Sequence, residues 1–227
     1  LVNFDNASKL FSLSGANASI GIVTYGMAAI GLRTAHSFMT EFEATLPLER
    51  LPVRQVAECI GAFFNGQWLR EMPEDFKGPD MTFVVAGFDE DEPYGKVYQV
   101  DIPHRIDPVE KNAMDNEFGM VWGGQREYVD RLIQGFDPRL PGIVMEKLKL
   151  KPAQMDDLMA ELRKLQMMIP LQAMPLQDCV DLAVFAVQTT IDAQRLSVGM
   201  RACGGPVDVA VITRRDGFRF IRCKELG

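Results

Sequence analysis

The stretch ASIGIVTYGMAAIGLRTAHSFMTEFE, residues 18–43, carries the reading of the fold. Its first part, Ile20 to Thr24, is short and rich in β-branched residues, the composition of a strand. Its second part sets Leu32, Ala35, Met39 and Phe42 at steps of three and four, one face of an amphipathic helix. The period changes at Tyr25 and Gly26 with hardly a polar residue between. The sequence therefore predicts a strand that runs through glycine directly into a helix, from Met27 to near Pro47.

Working outward, KLFSLS (residues 9–14) has the alternation of a short strand, and GAN (residues 15–17) has turn chemistry, so residues 9–24 predict a hairpin. Pro52 opens a second helix with Val53, Val56, Ile60, Phe63 and Phe64 on its buried side, closing before Pro73. MTFVVAGFDE (residues 81–90) and GKVYQVDIP (residues 95–103) read as an antiparallel pair around an acidic loop. FGMVWGGQREYVDRLIQGF (residues 118–136) repeats the opening grammar, with a strand over 118–122, a glycine pair and a helix through Tyr128, Leu132 and Ile133.

Two amphipathic helices follow: residues 151–169, with Met155, Leu158, Met159, Leu162 and Leu165 apolar, and residues 176–196, with Val180, Val184, Val187 and Ile191 apolar. VDVAVITRRDGFRFIRC (residues 207–223) closes the chain as two strands across Asp216-Gly217, a strong hairpin dipeptide. Antiparallel strand pairs with helices grouped between them indicate an α+β arrangement, not a βαβ series. With no linker rich in Ser, Gly or Pro, the 227 residues read as a single domain, 1–227.

Composition narrows the partners. A hydrophobic fraction of 47% suits a soluble globular protein with a sizeable core, and a net charge of −7 supplies no footprint for nucleic acid. The longest apolar run, residues 20–32, is too short to span a bilayer and there is no basic-then-apolar leader, so no membrane association is expected. Cys59, Cys179, Cys203 and Cys223 form no CxxC pattern, which points to a reduced, cytoplasmic setting without a disulfide framework or zinc site.

Few residues carry familiar chemistry. The two histidines, His36 and His104, offer little to a Ser-His-Asp or Cys-His arrangement. Asp101, His104 and Asp107 read as a solvated loop more readily than as metal ligands, and residues 89–92 as a solvated hairpin tip. Cys203, ahead of Gly204-Gly205, reads as a small buried thiol. WGGQR lacks the lysine of a phosphate-binding loop, and ACGGP precedes a strand. One pair stands out: Lys9 and Gly26 lie on adjacent strands of the first hairpin, and a glycine there lets a backbone amide face a ligand with no Cβ in the way.

With these residues in place, the chain resembles the proteasome-type N-terminal-nucleophile hydrolases, the family of the 20S core subunits and their bacterial relatives. KLFSL with IGIVTYGMAAIGLRTAHSF (residues 20–38) is similar to the family's lysine strand, turn, and strand leading through glycine into the first helix. FVVAGFDEDEPYGKVYQVDIP (residues 83–103) resembles its central hairpin. FGMVWGGQREYVDRL sits where the family has a Gly-Ser type turn opening a helix, and ACGGPVDVAVITRRDGF (residues 202–218) resembles its closing strands. The likeness covers nearly the whole chain apart from residues 142–174.

The resemblance implies a four-layer αββα sandwich and peptide-bond hydrolysis by an N-terminal threonine whose own α-amine, with a pKa of about 8, acts as base. Lys9 then tunes that amine and hydroxyl, the Gly26 amide is the oxyanion donor, and Thr24, Tyr25, Met27 and Ala28 border the substrate cleft. It further implies a polypeptide substrate, a homo-oligomeric ring, an unfoldase partner, and neither cofactor nor metal.

Two departures accompany it. The sequence opens LVNFDNASKL, with eight residues ahead of Lys9. The two strands that the family places there need about two dozen, so an N-terminal hairpin carrying the threonine is expected outside these residues. The family's auxiliary aspartate and serine correspond to Met200 and Cys203, and the serine of its Gly-Ser turn falls near Trp122; of these only Cys203 retains weak polar capacity. A catalytic threonine-type peptidase is the favoured reading. A non-catalytic structural subunit of such a ring is the alternative, and a small-molecule binding module of unrelated α+β fold is a third.

Overall fold

The structure, a computed structural model, describes residues 7–111, 118–199 and 201–224. The described residues divide into two compact units: a strand unit of residues 7–111 and 118–121 with 206–224, and a helical unit of residues 122–199 with 201–205.

In the strand unit, β1 (Leu10–Ser12), β2 (Ile20–Gly26), β5 (Met81–Gly87), β6 (Lys96–Ile102) and β7 (Arg105–Glu110) form one antiparallel sheet in the order β1-β2-β5-β6-β7. Alternation along each strand decides its faces. Ile20 and Ile22 of β2, Met81, Phe83 and Val85 of β5, and Val100 and Ile102 of β6 are all buried and share the core with two helices. These helices are α1 (Ala35–Glu43), which contributes Phe38 and Phe42, and α2 (Val53–Glu71), which contributes Val53, Val56, Ile60 and Phe64. Phe64 stacks on Phe83 with ring centroids 4.3 Å apart. Full burial of one such ring contributes about 1.5–3 kcal/mol.

The opposite face of β2 carries a second, smaller sheet. β8 (Val209–Thr213) and β9 (Gly217–Arg222) pair as the predicted hairpin across Asp216 and Gly217. They lie against Gly21, where an added Cβ would sit 2.7 Å from the Phe218 ring, and Phe218 N–H donates to Ala18 O at 3.2 Å. The strand unit is thus layered as helices, five-stranded sheet, then hairpin.

In the helical unit, α3 (Glu127–Gln134) packs on α6 (Leu176–Leu196), and α4 (Leu140–Leu148) on α5 (Pro152–Arg163). The buried line of α6 is Ala186, Thr190 and Gln194, at four-residue steps. The predicted stripe is displaced accordingly: Val187 is exposed, and Val180, Val184 and Ile191 are half-buried. Taken together, the elements are those of an α+β chain.

Several local expectations change. No helix begins at Met27. A small hairpin, β3 (Ala29–Ile30) and β4 (Arg33–Thr34), intervenes, with Ile30 in the core and Leu32 fully exposed at its turn. Helix α1 starts only where the Thr34 hydroxyl accepts from Ser37 N–H as an N-cap, and it ends at Glu43.

Residues 118–122 form no strand: Phe118 turns to Tyr94, and the Trp122 indole N–H donates to Asp130 at 2.7 Å. Within DIPHRID only Pro103 and His104 form the turn, and the rest belongs to β6 and the edge strand β7, where Pro108 is tolerated because it falls in the irregular stretch of the β6–β7 pairing and has no register partner. Helix α5 ends at Arg163, and Met167 N–H goes to Ile133 O at 2.8 Å, a bond that a continuing helix would not make.

Candidate functional site

The first hairpin brings Lys9 opposite Thr24: Thr24 N–H donates to Lys9 O at 2.8 Å, one step beyond the β1–β2 register. Gly26 closes β2 two residues further on. Its φ of +84° lies in the left-handed region that a side chain disfavours, and an added Cβ would stand 2.1 Å from Asp80 O. Glycine is required here by the strand itself, whatever the amide does. Met27 N–H donates to the same Asp80 carbonyl at 2.8 Å.

The flanking residues divide. Thr24 is buried and its hydroxyl donates to Thr82 O at 3.0 Å, so it offers no free hydroxyl. Tyr25 is half-buried on the other face of β2, in register with Thr82. Met27 packs against the hydrophobic core, whereas Ala28 is exposed. Cys203 belongs to the helical unit, half-buried, with its N–H donated to Gln194 Oε1 at 3.0 Å; the same oxygen accepts from Ala202 N–H at 2.9 Å. Met200 lies outside the described residues.

A polar row on the face of the sheet opposite the helices was not evident in the sequence. The buried Asp101 accepts from Thr82 Oγ1 at 2.8 Å and Gln99 Nε2 at 2.7 Å, and pairs with the Arg105 guanidinium. Burial alone would raise its carboxyl pKa. The bonds from Gln99, Thr82 and Arg105 outweigh it and hold the carboxyl below its ordinary value. The signal for this row is the two-residue spacing of Gln99 and Asp101 on one strand, which becomes meaningful only once Thr82 and Arg105 are registered beside them.

Next to it, His104 Nδ1 meets Asp80 Oδ1 at 2.5 Å with the imidazole largely exposed. Neither arrangement gathers metal ligands: among the described residues no group of three or more His, Cys, Asp or Glu is placed to hold an ion. Asp101 is engaged with Thr82, Gln99 and Arg105, His104 with Asp80, and Asp107 is exposed on β7.

No family model, curated protein or solved structure matches this chain. Its chemistry must be read from its own residues. Among the described residues, no helix is long and apolar enough to cross a membrane. A shallow pocket lined by Leu13, Ser14, Asn17, Glu43, Leu46 and Leu48 sits at the turn end of the β1–β2 pair, away from Lys9 and Gly26. There Ser14 Oγ donates to Glu43 at 2.5 Å.

Proposed function

We propose that the chain is a subunit of a proteasome-type, self-compartmentalised protease. In this reading it cleaves polypeptides with an N-terminal threonine that lies outside these residues, and it adopts the four-layer αββα arrangement of that family as one subunit. The observation that supports the reading is the β1–β2 pairing, which sets Lys9 opposite Thr24 through the Thr24 N–H to Lys9 O bond, two residues before Gly26. A cation and a backbone donor at one strand end are the two electrostatic elements that an amine-assisted hydroxyl attack requires. Homo-oligomeric ring assembly and an unfoldase partner accompany the proposal.

The alternative, a non-catalytic ring subunit, draws on different observations. The Thr24 hydroxyl is engaged with Thr82, and Trp122, where the family has a serine, donates to Asp130 within its own unit. Sequencing of the mature N-terminus, with intact mass after exposure to a threonine-directed electrophile, decides between them. The peptidase reading expects Thr at the first position and one covalent adduct; a first residue other than Thr, Ser or Cys ends it. In the active form, Lys9→Ala should abolish peptide hydrolysis and leave assembly intact, and turnover like the parent's would remove Lys9 from the mechanism.

A further inference from the structure

Backbone groups of successive residues in a central antiparallel strand point alternately to its two neighbours. Thr24 N–H goes to Lys9 O on the β1 side, and Met27 N–H goes to Asp80 O on the β5 side. Gly26 N–H, between them and in step with Thr24, therefore points to the β1 side. The acceptor that this ladder would next supply, two residues before Lys9, is Ala7 O. That carbonyl accepts instead from Lys224 Nζ at 2.9 Å, and regular β1 starts only at Leu10.

Lys224 is itself held. Its Nζ is 3.4 Å from Asp208 Oδ2 and its N–H donates to Asp208 Oδ1 at 2.8 Å, with side-chain exposures of 15% and 11% for Lys224 and Asp208. The two residues flank the open end of the β8–β9 hairpin, so one ion pair closes the hairpin and captures the start of β1. A charge-assisted bond from an ammonium is about twice as strong as one from a neutral amide, so the clamped Lys224 governs the direction in which the Ala7 carbonyl points.

We propose that Lys224, clamped by Asp208, is a positioning residue that draws the Ala7 carbonyl out of the β1–β2 ladder and keeps the Gly26 N–H open to a ligand carbonyl oxygen. The inference rests on the reading of Gly26 as an oxyanion donor and extends it: the donor is kept vacant by an ion pair about 200 residues away in the chain. It requires no nucleophile in order to be tested.

The experiment is residue-resolved amide hydrogen exchange of the full chain by NMR, in the parent protein, K224M and K224R, with Thr24 as internal reference because its N–H is already bonded to Lys9 O. In the parent, Gly26 should exchange at least about tenfold faster than Thr24, as an unpaired amide does. In K224M the Ala7 carbonyl is released to Gly26, whose exchange should slow about tenfold with Thr24 unchanged; K224R should restore the open state. Gly26 protection equal to that of Thr24 in the parent overturns the proposal, and so does unchanged Gly26 exchange in K224M.

Should K224M lose Thr24 protection by unfolding, D208N carries the comparison: Gly26 must slow relative to Thr24, and its failure to do so overturns the proposal. Peptide hydrolysis by the threonine-bearing subunit is read separately. An open Gly26 without hydrolysis defeats the peptidase reading alone. A closed Gly26 beside active hydrolysis defeats the role of Lys224 and the oxyanion role of Gly26, and leaves the peptidase reading standing.

Discussion

Gly26 is held by two constraints at once, a positive φ and the Asp80 carbonyl in its Cβ direction. Gly26→Ala should therefore cost about 1–3 kcal/mol of stability, because left-handed strain and a backbone clash add and neither neighbour is a yielding side-chain tip. Denaturant midpoints at unchanged slope measure it, and a loss below about 0.5 kcal/mol would mean that β2 ends differently. Asp101 makes a prediction in pH. Its folded-state pKa is depressed, so it contributes stability above its unfolded value of about 4, and that contribution is lost as pH falls through the lower folded value. In urea titrations from neutrality to acid, Asp101→Asn should flatten this part of the stability profile; an unchanged acid limb would deny the carboxylate its role. Lys9 and Gly26 were legible as neighbours because a hairpin with a turn signal specifies which residues face each other. The reason for the glycine was not, because Asp80 lies outside that hairpin.

At the scale of elements, α2 shows how an apparently idle residue acquires a structural task. Pro52 precedes the helix and has no side-chain acceptor, so its first N–H, on Val53, is taken by Asp89 Oδ1 at 2.7 Å from the β5–β6 loop. The acidic cluster is therefore more than a solvated tip: one of its carboxylates caps a helix and meets its positive end. Asp89→Ala should cost about 1 kcal/mol, read as a lower thermal midpoint, and no change would show that water replaces the cap. Helices α2 and α6 match their predicted spans because period and boundary residues agree over many turns. Helix α1 begins eight residues later than the periodicity implies. Residues 27–34 satisfy a helical spacing, yet their backbone is better paired in the β3–β4 hairpin, where Ile30 reaches the core and Leu32 does not. β7 was missed because its residues do not alternate, a consequence of lying exposed at the sheet edge.

At the scale of the whole molecule, the strand unit supplies the main hydrophobic core, whereas α4 and α5 of the helical unit bury no residue fully. Ile143, Leu148, Phe185 and Leu196 remain exposed. Such apolar surface suits a subunit interface, and the proposed ring predicts sedimentation well above the 25.4 kDa of one chain at micromolar concentration. A monomer there would defeat the ring. The sequence by itself determined the α+β class, the two long helices, the β1–β2, β5–β6 and β8–β9 pairs and the placing of Lys9 on the strand beside β2, because each follows from local period, turn chemistry or short-range pairing. Only the tertiary structure decided where α1 starts, that Asp89 caps α2, that Asp101 sits in a buried polar row and that Lys224 takes the Ala7 carbonyl. The start of α1 depends on Ile30 reaching the core, and the other three on groups from separate elements meeting once the chain has folded; no local periodicity encodes such a contact.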